Sequence, residues 1–187
     1  GLKGIPSISE SINLYRDISI LNYSGGKIHI PYITTSKGVD LIREAKKKNL
    51  DITASVSLAH ITFSEKDIPE FDTNYKLIPP LRSELDLNSL KEGLIDGTID
   101  YLTSMHEPFD VDNKKIVFDN ASSGSIGLES MFGLMNKQFT LEKTIDILTR
   151  KKITFEVDDY PIEIGSLADL SLFNPDKNYK FSEGHIL

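Results

Sequence analysis

Apolar and polar positions along the first half of the chain predict helices that alternate with short strands. Apolar residues recur at helical spacing from Pro6 to about Asn22, and Gly25-Gly26 ends this helix. The run Lys27 to Thr34, rich in Ile and Tyr, predicts a strand. A second helix is predicted from Lys37 to Lys48, with Ser36 as its N-cap.

The same alternation continues to about residue 150. The further predicted elements are a strand over Ile52 to Leu58, a helix from Asp86 or Asn88 through Ile95, a strand over Ile99 to Ser104, and helices over Ser125 to Asn136 and Leu141 to Thr149. Strands separated by helices of about a dozen residues pair in parallel through right-handed crossovers. The pattern therefore predicts the α/β class.

After Lys151 the pattern changes. Ile153 to Val157 and Leu170 to Phe173 predict strands without a helix between them. We therefore expect two parts, an α/β part over residues 1–150 and a β-strand segment over residues 151–187. Three parallel strands would leave unpaired edges, so the sequence predicts part of a longer fold.

Composition narrows the class of partner. The 187 residues carry a formal net charge of −7, which argues against a nucleic-acid partner because phosphate binding needs clustered Lys and Arg. Cysteine is absent, which excludes disulfides and thiolate metal sites. No apolar run approaches the roughly 18 residues that a membrane span needs. We expect a cytoplasmic protein with neither nucleic acid nor membrane as a partner.

Four segments together resemble one family of hydrolases. They are Ile28–Thr35 (IHIPYITT), Lys76–Arg82 (KLIPPLR), Ile99–Phe109 (IDYLTSMHEPF) and Ile164–Leu170 (IGSLADL). At the corresponding places the dihydroorotases, cyclic amidohydrolases of the metal-dependent amidohydrolase superfamily, read roughly H-V-S-T, N-P-P-L-R, T-D-H-A-P-H and G-x-x-A-D-L. The segment Gly124–Glu129 (GSIGLE) is similar to the family's G-I-V-G-L-E.

This resemblance implies a fold and a place in metabolism. Residues 1–150 would supply about three strands, the sixth to the eighth, of a TIM-barrel-type amidohydrolase fold, and residues 151–187 strands of a small β-sandwich element. The chain would match only the second half of a dihydroorotase. The family belongs to de novo pyrimidine biosynthesis.

The resemblance also places the family's reactive residues on unreactive ones. The metal-binding His falls on Tyr32, the substrate-holding Asn on Ile78, the catalytic Asp on Met105 and a second pocket His on Phe109. Gly124 keeps a position whose backbone touches substrate in the family. The sequence thus predicts substrate-pocket equivalents at Ile78, Phe109 and Gly124, and neither a catalytic residue nor a metal ligand in this chain.

Cyclic-amide hydrolysis near neutral pH needs a metal-activated water and a proton-carrying base. A tyrosine phenol has a reference pKa near 10, and a thioether carries no proton. If strand alternation holds, His29, Asp100, Ser104 and His106 face away from these positions, and Glu107 lies about 6–7 Å too far along the strand. His60 is expected to be a packed, hydrogen-bonded core residue.

Three hypotheses remain open. The chain is a non-catalytic dihydroorotase-like protein that acts in assembly, as a homo-oligomer or with aspartate transcarbamoylase. Alternatively, it belongs to an active zinc-dependent cyclic amidohydrolase whose metal ligands lie in the missing first half of the barrel. The third possibility is a module that binds a small ligand in an altered, more apolar pocket, where orotate-like anions bind poorly.

Overall fold

The computed structural model describes residues 4–150, 162–182 and 184. Its helices and strands are α1 (Ser7–Ser24), β1 (Lys27–Ile30), α2 (Ser36–Lys47), β2 (Asp51–Ser57), α3 (Leu58–Thr62), α4 (Glu84–Asp96), β3 (Tyr101–Thr103), α5 (Val111–Lys114), α6 (Met131–Gln138) and α7 (Leu141–Thr149). Two 3-10 turns, Glu65–Asp67 and Thr73–Tyr75, lie between α3 and α4.

The three strands form a parallel sheet in the order β1-β2-β3, as the alternation of elements predicts. Lys27 pairs with Asp51 at one end of the β1–β2 ladder, and Ser55 pairs with Tyr101 at the start of the β2–β3 ladder. On β2, Ile52, Ala54 and Val56 are buried in the hydrophobic core that the helices share. The intervening residues Thr53, Ser55 and Ser57 point to the other face of the sheet because side chains alternate along a strand.

Two helices begin at residues next to the predicted caps. Thr35, not Ser36, is the N-cap of α2, and its side chain accepts a hydrogen bond from Gly38 N. Ser83, not Asp86 or Asn88, is the N-cap of α4, where Asp86 completes a capping box. Several hydroxyl or carboxyl residues stand close together in both places; the hydroxyl of Thr35 is held by the distant Glu10, whereas Ser83 is selected by its local pair with Asp86.

Glu10 of α1 fastens the loop between β1 and α2. Its carboxylate accepts hydrogen bonds from the backbone N–H groups of Thr34 and Thr35, at 3.1–3.2 Å, and from both threonine hydroxyls. Gly38 allows this approach, because a Cβ at this glycine would lie 2.5 Å from Glu10 Oε1. Arg82 joins the same network by donating from Nε to Thr34 Oγ1 at 3.2 Å.

Several predicted bounds were wrong. The first strand ends at Ile30 rather than Thr34, and the third ends at Thr103 rather than Ser104. The helix predicted from Ser125 begins only at Met131, because residues 125–128 pack against the segment that follows β3. Leu170 to Phe173 form no strand, and the strand predicted over Ile153 to Val157 lies outside the described residues.

Candidate functional site

A cavity of about 870 Å³ lies at the carboxyl ends of β2 and β3. Its walls are α3, the loop over residues 72–77, the segment over residues 104–109 and the segment over residues 124–130. Ligands of α/β folds bind at the carboxyl ends of parallel strands, so the position fits a binding site.

Two backbone segments meet closely to form one wall. Glu107 N donates to Ser125 O at 2.7 Å, and His106 pairs with Ser125 as an isolated parallel bridge. A Cβ on Gly127 would lie 2.4 Å from Ser104 O, and one on Gly124 would lie 2.6 Å from Glu107 O. Both glycines are therefore needed for the close approach.

Lys114, which sequence analysis did not single out, ties two walls together. Its Nζ donates to three backbone carbonyls, Thr73 O at 2.9 Å, Ser122 O at 3.0 Å and Gly124 O at 2.7 Å. Burial lowers the pKa of Lys114, and the nearby charge of Lys76 lowers it further. No sequence signal could have identified this residue, because carbonyl partners exist at every position of a chain.

His60 joins the end of β2 to the Pro79-Pro80 turn. The ring is only 2% exposed, and it lies 2.7 Å from Ser57 Oγ through Nδ1 and 3.0 Å from Pro79 O through Nε2. A carbonyl only accepts hydrogen bonds, so Nε2 carries the proton and Nδ1 accepts from the serine hydroxyl. Burial lowers the pKa of His60 to about 4. This is the packed core histidine that the sequence predicts.

The residues that sequence analysis predicted at the family's reactive positions divide into three groups. Phe109 and Gly124 line the large cavity. Tyr32 and Ile78 line a second groove of about 280 Å³ between α1 and β1. Met105 lines neither space and is buried at 4% exposure.

Strand alternation stops before Met105, contrary to our expectation. β3 ends at Thr103, and Met105 has a left-handed φ of 47°, so parity along the strand does not decide where Ser104, His106 or Glu107 point. His106 Nδ1 instead accepts hydrogen bonds of 3.4 Å from Gly127 N and Leu128 N. Tyr32 also has a left-handed φ, of 54°.

The donor set in the described part of the chain does not fit a metal ion. Within residues 4–150, 162–182 and 184, no three His, Asp or Glu side chains come close enough together to hold one. Both ring nitrogens of His29 contact hydroxyls, Thr53 Oγ1 at 2.9 Å and Ser55 Oγ at 3.2 Å. Burial lowers the pKa of this histidine.

Comparisons with known proteins find sequence similarity to part of the dihydroorotases. No family model matches the sequence. Dihydroorotases from Listeria monocytogenes serotype 4b and Bacillus pumilus are each 38% identical over 184 residues, which is 95% of this chain and 43% of the relative. The chain thus spans less than half the length of the curated relatives it matches.

Solved structures resemble the fold. An L-hydantoinase (dihydropyrimidinase) from Arthrobacter aurescens matches with a TM-score of 0.75 and 22% identity, covering 87% of this chain and 39% of that one. A dihydroorotase from Saccharomyces cerevisiae in complex with 5-fluoroorotic acid matches with a TM-score of 0.68 and 18% identity, covering 85% and 47%.

The parallel sheet and its structural neighbours define a partial TIM barrel of the amidohydrolase type. Sequence comparison is more specific, because over 95% of its length the chain is 38% identical to part of the dihydroorotases. In the described part of the chain, no helix is long and apolar enough to cross a membrane.

The close approach of the two wall segments predicts a strong effect of one methyl group. Gly127→Ala should lower the free energy of unfolding by about 2 kcal/mol, because its Cβ meets backbone that must shift. Gly133→Ala is the matched control. It lies in α6 with nothing within 4 Å of its Cβ and should be neutral or stabilising by about 0.5 kcal/mol. Urea unfolding of both variants tests this, and equal stabilities would contradict it.

The buried His60 predicts a loss of stability toward acid. The unfolded chain binds a proton near pH 6.5, whereas the folded chain does so only near pH 4, so stability falls as the pH drops between these values. From pH 7 to pH 5 this group should remove about 2 kcal/mol from the free energy of unfolding. In His60→Gln the pH dependence should flatten by that amount, measured by urea unfolding. His29→Gln, at a less buried site, should flatten it less. An unchanged slope in His60→Gln would contradict the prediction.

Proposed function

We propose that this chain is a catalytically inactive dihydroorotase-family protein of de novo pyrimidine biosynthesis that acts in assembly. Its partners would be the rest of an amidohydrolase barrel and either further copies of itself or aspartate transcarbamoylase. The proposal is carried by Tyr32 and Met105, on which the motif resemblance places the family's metal ligand and catalytic base. At neutral pH the phenol of Tyr32 keeps its proton and offers no phenolate to zinc, and the thioether of Met105 cannot take up a proton as a base.

The hydrogen bonds of the ring nitrogens of His29, His60 and His106 support this proposal. His60 uses both ring nitrogens in hydrogen bonds, and His29 has a hydroxyl beside each of its own. His106 Nδ1 accepts from the backbone of the 124–130 segment. A histidine binds a metal through an unprotonated nitrogen with a free lone pair, so these rings would have to give up their contacts first.

The outer face of α1 supports an assembly role. Ile8, Ile12, Tyr15 and Tyr23 follow helical spacing on one side of the helix and are 61–94% exposed. The core of the protein takes Leu14 and Leu21 from the opposite side. An apolar stripe of this kind on the surface is typical of a protein–protein contact.

The alternative function is an active zinc-dependent dihydroorotase or related cyclic amidohydrolase. Zinc would then be held by residues outside this chain, in the part of the relatives that it does not match. The 38% identity to part of the curated dihydroorotases favours this alternative. Under it, no chemical step would depend on a side chain at Tyr32 or Met105.

The two functions differ in metal content and turnover. We expect the protein, incubated with zinc and then dialysed, to retain well under one zinc per chain, because its described donors do not form a site. We also expect that it neither opens the ring of dihydroorotate nor closes carbamoyl aspartate to that ring. Elemental analysis measures the zinc content, and the ultraviolet absorbance of dihydroorotate measures the turnover. Stoichiometric zinc together with turnover would establish the alternative.

The apolar face of α1 predicts an effect on assembly. Ile12→Glu should lower the mass of the assembled species by placing a charge in the contact. Leu85→Glu is the control, since Leu85 of α4 is also exposed, at 71%, but is not part of the α1 stripe. Sedimentation velocity of the protein alone and mixed with aspartate transcarbamoylase measures the effect. A monomer in both experiments, or equal masses for both variants, would contradict the assembly role.

A further inference from the structure

We propose that the large cavity binds a small organic ammonium ion with an aromatic or alkyl body. This inference rests on the proposed non-catalytic function, under which the cavity is free to bind a ligand other than a cyclic amide that carries a carboxylate. It concerns the space at the carboxyl ends of β2 and β3, between α3, the 72–77 loop and the 104–109 segment.

The apolar part of the cavity suits the body of such a ligand. Leu58 and Phe63 line one side, Leu77 and Leu81 another, and Phe109 a third. A volume of about 870 Å³ lies within the range of small-molecule sites. Phe109 is fixed beside Gly124, where a Cβ would lie only 2.7 Å from Phe109 Cε2.

The positive charge at the cavity is already satisfied. Lys114 directs its ammonium to three carbonyl oxygens, and an ammonium has only three N–H donors. It therefore has no donor left for the carboxylate of an incoming anion. Asp72 lies near enough to Lys114 for the two charges to interact, and its Oδ1 accepts a hydrogen bond from Asn74 N.

The negative charge of Glu107 is not satisfied in the same way. Within the described residues its carboxylate has neither a hydrogen bond nor an ion pair, although Glu107 lines the cavity and its backbone is held by Ser125. Phe109, 46% exposed, lines the same cavity, and a carboxylate attracts a cation by its charge while an aromatic ring attracts it by its negative face. An exposed carboxylate at the cavity that no cation of the described residues pairs with therefore favours ammonium over carboxylate ligands.

Calorimetric titration with ligands of one shape tests the charge preference. Benzylammonium should bind with a Kd of about 1 mM, about fivefold tighter than neutral benzyl alcohol, and benzoate should bind weakest. Glu107→Gln should bring the affinity for benzylammonium down to that for benzyl alcohol. Glu142→Gln, which removes an exposed carboxylate from α7 outside the cavity, should leave it unchanged.

The outcomes separate this inference from the function on which it rests. Benzoate or dihydroorotate binding as tightly as benzylammonium would overturn the inference, and so would the absence of benzylammonium binding up to about 10 mM. An unchanged affinity in Glu107→Gln would also overturn it. Turnover of dihydroorotate by the zinc-treated protein would overturn the proposed function instead, whatever the affinity for benzylammonium.

Discussion

The carboxylate of Glu10 holds the loop between β1 and α2 in place through hydrogen bonds, and the Pro79–Arg82 turn is positioned against this loop. Hydrogen bonds to a charged group contribute about 1.5–3 kcal/mol each, and Thr34 and Thr35 donate four groups to this one carboxylate. The fastened loop carries Tyr32 at one end and the start of α2 at the other. Through Thr34, Arg82 brings the Pro79–Arg82 turn to the same place. Two of the segments that resemble dihydroorotases, Ile28–Thr35 and Lys76–Arg82, are thus held together through a residue that belongs to neither of them.

How far sequence can predict this fold depends on how local each determinant is. The parallel sheet and α7 follow from spacing and length, which act within a dozen residues, and both are confirmed. The cap at Thr35 could not be chosen from sequence, because the carboxylate of Glu10 that holds its hydroxyl comes from a different helix. The cap at Ser83 is a local capping box with Asp86, three residues later, so the sequence carried this signal and the prediction missed it. The late start of α6 depends on a backbone bridge to Glu107, about twenty residues away.

The candidate site shows the same limit. Motif alignment identified Phe109 and Gly124, which do line the cavity, but it could not show that Tyr32 and Ile78 open into a different groove. The left-handed backbone at Met105 interrupts the alternation on which side-chain direction was predicted. Lys114 acquires its role from three carbonyl partners that folding brings to it, and Glu107 from the lack of a partner for its carboxylate among the described residues. A sequence alone carries no record of such partners.

The left-handed backbone at Tyr32 and Met105 has a consequence for protein engineering. Bulky residues in this conformation carry a cost of about 1 kcal/mol, which asparagine or glycine largely avoids. The chain therefore keeps, at two unreactive side chains, a main-chain shape that neither of them prefers. A designer who sought greater thermal tolerance would therefore begin at these two turns, with asparagine or glycine in place of the bulky side chains.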